Sequence, residues 1–542
     1  MSALVPWNPR PVKILWLDLD TGQGVTDDGR AVTVGAGKRP RLAEVLGAAW
    51  RASCSRVMLT GSKPLAGWLL AAVPGWSHGI HHLDHETPVG RYANPEGLPF
   101  EVRRAAEWFG AGTYTPAQAA YAWDALTLTL GAHIPGMERL LASPAATGRE
   151  AWLRSRTFDQ DGQPVNPPQV SAEVAELLRA TSGQHRIELF NEPEPGAVVA
   201  CPRPPPDASA DAQLIRGYAA KLRGENELWL LDGRLMYVAC VRELGIGPAV
   251  MLTADQASEH FTTYPYGRAR YLVRATVPQW WDTVGILPNK AGDDQRDGWE
   301  YPNQPGRTFE TWADASEVWL AAIQFRWPVV ILAGMTFTPG RPLDTWAARL
   351  LRAYDQAGEA FGTDQAKLVR AGLRWMLLHS IGAWHSSGRT ETTITTGPMT
   401  RPTGDGWEAP TVERDNTIWR RRVPLDGRAA MMSHPEWSAQ IWGRARARVL
   451  WAPTAVKGTW AGALTLPPHQ LVSIYGDALM TTAAPEWAAS RFDDGKPGRL
   501  RVKGFLPDLA AAGGWPTSGA RRDRLMHAAE AFGAPLDQTE GE

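Results

Sequence analysis

The stretch QLVSIYGDALMTT, residues 470–482, decides how this chain is read. Leu471, Val472 and Ile474 make an apolar, partly β-branched run that reaches Tyr475. A Gly476–Asp477 corner follows, and the chain leaves through Ala478, Leu479 and Met480 to two threonines. Two β-prone runs around a glycine-bearing corner predict a hairpin with a carboxylate at its tip. Aspartate is common in turns because it bonds its own backbone. It is also a hard oxygen ligand for a divalent metal. Which role Asp477 plays depends on what stands elsewhere in the sequence.

The chain has 542 residues, enough for several domains. Its 44% hydrophobic and 21% charged content is that of an ordinary globular protein with a sizeable core. The net charge of −1 means that any basic surface must be local. Cys54, Cys201 and Cys240 make no CxxC pair and no disulfide framework, which fits a reducing cytoplasm. The N-terminus lacks a basic segment followed by an apolar core, so no signal peptide is expected. The longest apolar run, VWLAAIQFRWPVVILAGM, is broken by Arg326 and Pro328. These features predict a soluble cytoplasmic protein without membrane contact. The 26 tryptophans are read as fillers of core and interfaces, with stacking on single-stranded bases as their other use.

No fixed-period repeat is visible. Residues 12–36 predict a β-hairpin, followed by a helix over about 39–52, a short strand RVMLTG and a further helix. YTPAQAAYAWDALTLTL predicts a helix that carries Asp124. Together these make a small α/β unit ending near residue 145. Segments near 191–215 and over 389–414 are polar and are expected to be exposed; PLDQTEGE at the end is expected to be a disordered tail. Between 414 and 448 arginine is dense (Arg414, Arg420, Arg421, Arg422, Arg428, Arg444, Arg446, Arg448), which fits a polyanion track as well as a solvated face.

A second candidate carboxylate lies upstream, in ELWLLDGRLMYVACVREL. Asp232 ends the apolar strand Leu228–Leu231, and Tyr237 follows five residues later. A carboxylate at a strand end with an aromatic on the next turn suits a divalent metal under a packed nucleotide. Mg²⁺ is typically held by one or two carboxylates plus substrate phosphates, so two aspartates suffice. In a two-metal mechanism the ions activate the attacking oxygen and stabilise the leaving one.

In order along the chain, these segments resemble a family B DNA polymerase, especially the small polymerases of phages and mobile elements. SGQHRIELF (182–190) resembles the YxGGR element, with Arg186 at its arginine. DGRLMY resembles motif A, DxxSLYP, with Asp232 as metal ligand and Tyr237 under the incoming sugar. GILP (285–288) and the stretch 306–337 are similar to the palm segment in which a glutamate-led helix precedes a strand. QAKLVRAGLRWMLLHSIGAW (365–384) resembles the motif B helix, KxxxNSxYG, with His379–Ser380 where Asn–Ser is expected. HPEWSAQIWGRARARVL (434–450) is similar to the helix before motif C, and Pro435 suits its start. SIYGDALMTT resembles motif C, YxDTDS, and KPGRLRVKG (496–504) the lysine-bearing strand after it.

Two registers fit motif C. In one, Asp477 is the family's first aspartate and Leu479 replaces the metal-binding one. In the other, Asp477 is the second aspartate and Tyr475 replaces the first. The second keeps the apolar strand in phase, since a one-residue slip reverses every side chain; it is the one preferred, and it makes Asp477 a ligand. In motif B the family lysine position is Trp375, so Arg374 or Arg370, one turn apart, would meet the triphosphate. The glycine also falls one residue early, at Gly382. An ordinary amphipathic helix is the plainer reading of the same residues. LWLDLDTG resembles the first proofreading-exonuclease motif, DxE, with Asp18 and Asp20. AYAWDALTLTL resembles the third, with Asp124 and Tyr121, and Asp84 is the candidate for the middle one. Because Asp20 replaces the usual glutamate, an exonuclease-like domain without activity is expected. GIHHLDHE is read as a loop, since adjacent His81 and His82 do not face one metal.

The resemblance implies an α+β chain: an RNase H-like exonuclease-type domain over 1–145, then over 146–542 a right-hand polymerase palm with helical fingers and a reduced thumb. It implies a template-directed DNA polymerase that uses Mg²⁺ or Mn²⁺ at Asp232 and Asp477. Nucleotide contacts fall to Tyr237, Arg370, Arg374 and His379, and DNA contacts to Arg186, Lys503, Arg444 and Arg448. The implied partners are primer-template DNA, dNTPs and a priming or terminal protein. The rival is a polymerase-like DNA-binding replication or end-binding factor that has lost catalysis; a weaker third is a nuclease using Asp18, Asp20 and Asp124.

Overall fold

The run Ile14–Asp18 is apolar on both faces and too short for a helix, so it is suited to the inside of a sheet. In the computed structural model it does occupy that place. The structure describes residues 11–35, 38–61, 65–81, 88–110, 112–157, 165–183, 186–188, 227–290, 299–396, 401–413, 416–509, 511 and 519–532. The segment near 191–215, Asp84, Arg414 and the C-terminal tail lie outside the described residues, apart from the described parts of their neighbours. The chain divides into two compact units, Met1–Asn166 with Leu343–Ser433, and Pro167–Pro342 with His434–Glu542. Among the described residues, no helix is long and apolar enough to cross a membrane.

In the first unit, Ile14–Asp18 pairs in parallel with Arg56–Thr60, which pairs in parallel with Pro99–Arg104. The helix Leu42–Arg51 makes the crossover and buries Leu42, Val45, Leu46 and Ala49 at helical spacing. Gln23–Thr26 and Ala31–Thr33 extend the sheet on one side, Val89–Ala93 and Ser77–His81 on the other. Residues 12–36 therefore hold three strands where one hairpin was expected. The Gly22 N–H donates to the Asp18 carbonyl and the Thr26 N–H to the Arg30 carbonyl, so the chain turns twice. Gly79–His81 lie in a strand rather than a loop, because Ser77–His81 pairs with Val89–Ala93 along its whole length.

The stretch 389–396, expected as an exposed polar excursion, is instead a strand. Gly388–Thr396 pairs antiparallel with Asn416–Pro424, and Ile394 and Ile418 enter the core of the seven-stranded sheet. Alternating threonines and isoleucine suit a half-buried strand although the segment is polar overall. The helices Pro144–Arg154, Asp344–Ala360 and Thr363–His385 pack through Trp152, Trp346 and Trp384, with ring centroids 6.3 and 5.2 Å from Trp384. Those rings bear out the core reading for part of the tryptophan set; Trp280 and Trp460 remain exposed.

The second unit holds two antiparallel sheets of more than two strands among the described residues. In one, Gly245–Leu252, Val329–Pro339, Ala269–Thr276 and Thr308–Asp314 stand in that order. Asp314 caps the helix Ala315–Trp319 in a reciprocal box with Glu317, and Glu317 also receives Arg446 at 2.7 Å. The other sheet runs Leu500–Leu506, Leu228–Gly233, Ala478–Thr481, Leu471–Tyr475, Arg186–Glu188. Leu228, Leu230, Ala478 and Met480 point to one face, where Leu525 and Ala529 of the helix Gly519–Phe532 cover them. Gly504 admits that helix: a Cβ there would stand 2.3 Å from the Ala529 carbonyl oxygen.

Candidate active site

The hairpin forms as its sequence demands. Tyr475 is opposite Ala478, so the loop is the two residues Gly476 and Asp477. Gly476 has φ +61 and Asp477 keeps a negative φ, the pattern of a type II′ turn, whose twist matches the strands. The second hairpin strand then pairs with Leu228–Gly233, Ala478 opposite Asp232 and Leu479 opposite Leu231. Beyond that ladder the Gly233 N–H donates to the Asp477 carbonyl at 2.9 Å. Two carboxylate-bearing residues from distant parts of the sequence thus meet at one end of one sheet.

Alternation sorts the side chains between the faces. Asp232 follows Leu228 and Leu230 onto the face covered by the helix Gly519–Phe532, and Ala478 shares it. Leu479 pairs with Leu231 and is fully buried, so it does not point at Asp232. Asp477, two residues before Leu479 and in the turn, is half-exposed. Its charge reaches Cys240, whose thiol burial pushes up to about 11; the Asp477 carboxylate adds to that rise.

Asp232 is 5% exposed. Lys503 Nζ lies 3.5 Å from its Oδ2 and 2.6 Å from Glu530 Oε1. A bulge between Val502 and Gly504 inserts Lys503 as an extra residue, while Arg501 stands opposite Asp232 in the same ladder. After Asp232 the chain turns sharply through Leu235, held at φ 45 and ψ 45, into the helix Met236–Cys240. A left-handed leucine costs about 1–2 kcal/mol, and strain of that kind collects at functional sites. The corner is fixed from outside. Arg234 pairs with Asp493 at 2.6 Å, and the Gly498 N–H donates to the Arg234 carbonyl at 2.6 Å. Tyr237 sits on that helix, buried.

Arg186 lies in the edge strand, its backbone paired with Tyr475. Arg444 donates to the carbonyls of Arg242 and Glu243, at 2.8 and 3.2 Å, and Arg448 is half-buried one turn on. The arginine-dense stretch is not a single track. Arg446 pairs with the buried Glu317, Arg421 with Glu391, and Arg428 with Glu150. Arg370, Arg374 and His379 belong to the first unit, on the helix Thr363–His385. Arg370 donates to the Tyr354 carbonyl at 2.9 Å near the end of the preceding helix, and the His379 ring lies 5.0 Å from Trp375.

In the first unit Asp18 and Asp20 share a strand end facing Gly61. Asp18 Oδ1 accepts from the N–H groups of Asp20 and Thr21 at 2.7 and 3.2 Å, a turn function. Asp124 does not join them. It is exposed, lines a cavity with Ile14 at the opposite end of that strand, and its carboxyl is held up by desolvation and the nearby Asp27. The structure therefore brings two of the three exonuclease-like aspartates together and leaves the third apart.

Among the described residues, no group of three His, Cys, Asp or Glu side chains stands together as a ready metal site. Asp232 and Asp477 are two oxygen donors, the number that fits Mg²⁺ when phosphates and water complete its shell. The neighbours that sequence reading missed are Glu530, Arg501 and Asp493. The Lys503–Gly504 pair carried a faint signal of a bulge; nothing in the sequence pointed to Glu530.

No protein-family model matches the sequence, and no curated protein matches it. Among solved structures, the chain is similar to Phi29 DNA polymerase complexed with primer-template DNA and incoming nucleotide substrates. The TM-score is 0.51 at 10% identity, covering 92% of this chain and 85% of that one. An orthorhombic crystal form of Phi29 DNA polymerase is similar at TM-score 0.49 and 11% identity, with the same coverage. The mixed α and β chain thus has a distant polymerase-like fold.

Proposed function

We propose that this chain is a template-directed DNA polymerase of family B type that serves a mobile element, plasmid or phage. The observation that carries the reading is the meeting of two segments: the strand end at Asp232 and the hairpin tip at Asp477, tied by the 2.9 Å Gly233–Asp477 hydrogen bond. The polymerase-like fold supports it, as does the neighbour's primer-template DNA and incoming nucleotides. Asp232 and Asp477 would hold Mg²⁺ or Mn²⁺, which when bound supplies charge neutralisation at the reacting phosphate. Tyr237 would pack under the incoming sugar and exclude a ribose 2′-hydroxyl. Arg370 or Arg374, with His379, would meet the triphosphate, and Arg186, Lys503, Arg444 and Arg448 the DNA. The protein's contribution is then positioning and electrostatics rather than covalent chemistry. A priming or terminal protein is the proposed further partner. The division into an exonuclease-like 1–145 and a polymerase-like 146–542 is part of the same proposal.

One observation favours a second reading, a polymerase-like DNA-binding factor without catalysis. The Asp232 carboxylate already carries an ion pair with Lys503, and Ala478 stands opposite it. Primer extension on a short template with Mg²⁺ or Mn²⁺, beside DNA binding, separates the two. Extension by the wild type that Asp232→Ala and Asp477→Ala each abolish supports the polymerase. Binding without extension under either metal supports the factor.

A further inference from the structure

We propose that a cavity in the second unit, behind the helix Met236–Cys240, binds a nucleoside phosphate unit of single-stranded nucleic acid. The base would lie on tryptophan and the phosphate on arginine. The proposal takes its ligand class from the nucleic-acid reading above but does not depend on catalysis.

The cavity has a volume of about 400 Å³, within the usual range for small-ligand sites. Its walls join the helix Pro435–Leu450, the helix following Asp314, and the short strand pair Ala452–Pro453 and Trp460–Ala461. Arg242, Arg268, Arg444 and Arg448 line it, against the single carboxylate of Glu243. That carboxylate is already shared: it pairs with Arg268 at 3.1 Å and with Arg341 at 3.2 Å. Arg444 is positioned by carbonyl oxygens, and the buried Asp314 carboxylate offsets part of its charge. An excess of fixed guanidinium groups selects an anion, and phosphate suits their fork geometry.

The aromatic lining narrows the choice. Trp451 and Trp460 are stacked at 5.2 Å and 22°, and Trp460 is 39% exposed. Tyr266, also in the lining, lies 4.7 Å from Trp319 and is 58% exposed. A simple inorganic anion would not use the rings, and an apolar ligand would not use the arginines. A base with its phosphate uses both.

The test uses the full chain in EDTA, with no metal and no nucleotide incorporation, so a failure of the polymerase reading leaves its result readable. Labelled oligo(dT) is titrated by fluorescence anisotropy and dTMP by calorimetry. The wild type is compared with Trp460→Ala, Trp460→Phe and Tyr266→Ala, each checked for an unchanged melting midpoint. Loss of one stacked base is worth at least about fivefold in affinity. The expected result is that loss for Trp460→Ala in either ligand, with Trp460→Phe near wild type. A response with dTMP identifies a mononucleotide site, and one with oligo(dT) alone a strand site; both uphold the proposal. If Trp460→Ala does not fold, Tyr266→Ala carries the same expectation. Wild-type affinity for both ligands in a folded variant, or no binding of either by the wild type, overturns it.

Discussion

Lys503 reaches Asp232 from a β-bulge, Nζ to Oδ2 at 3.5 Å, and is held from its other side by Glu530 at 2.6 Å. The lysine is thus the counter-charge of a carboxylate that is 5% exposed. Removing one side of such a pair costs more than neutralising the other. Lys503→Met is expected to lower stability by about 1–3 kcal/mol. Asp232→Asn, which leaves Lys503 on Glu530, should cost less. Urea unfolding midpoints of the two variants check the order, and equal losses would contradict this role for Lys503.

Glu317 is fully buried, accepts from Arg446 and closes the capping box with Asp314. Glu317→Ala leaves the Arg446 guanidinium buried without its carboxylate. The expected loss is about 3–5 kcal/mol, read from chemical denaturation. A loss below about 1 kcal/mol, the level of an exposed pair, would mean that solvent reaches Arg446.

Gly476 holds φ +61 in the turn that presents Asp477. Gly476→Ala places a Cβ in the left-handed region and should cost about 1–2 kcal/mol. The hairpin pairs directly with the strand of Asp232, so primer extension should fall with stability in this variant. Extension at the wild-type rate by a destabilised Gly476→Ala protein would separate the turn from the reaction.

Cys240 gives a pH dependence. Its thiol ordinarily titrates at 9.0, and burial pushes it up to about 11 in the folded chain. Between these values the unfolded chain loses a proton that the folded chain keeps. The contribution is fully present below the lower value and is lost as pH rises towards the upper one, by up to about 3 kcal/mol. Unfolding midpoints of wild type and Cys240→Ala should therefore draw together as pH rises from 9.0 to about 11. A gap that stays constant would show that the thiol ionises equally in both states.

Local pattern made much of the architecture readable. The hairpin around Gly476–Asp477 and the strand ending at Asp232 stand near where apolar runs and the glycine corner put them, and the helices Thr363–His385 and Pro435–Leu450 near where the family resemblance and Pro435 put them. The strand Gly388–Thr396 did not read as one because Ile394 is its single large apolar residue, and the rest of its apolar surroundings come from distant segments such as Ile418 of its partner. The arginine-dense stretch misled for a similar reason. Glu150, Glu317 and Glu391, which neutralise three of its arginines, lie far away in sequence. Asp124 was grouped with Asp18 and Asp20 by motif order, and no sequence spacing reveals which end of a strand a neighbouring helix residue faces.

The central claim is that Asp232 and Asp477 act together on one metal-bound nucleotide. Mn²⁺ binding in the presence of a dNTP, followed by electron paramagnetic resonance, tests it most directly in wild type, Asp232→Asn and Asp477→Asn. The account predicts bound Mn²⁺ in the wild type and a loss of affinity of at least about tenfold in each variant, the scale of one carboxylate ligand. Unchanged Mn²⁺ affinity in a folded Asp477→Asn protein would contradict the account and leave Asp477 a residue of the turn.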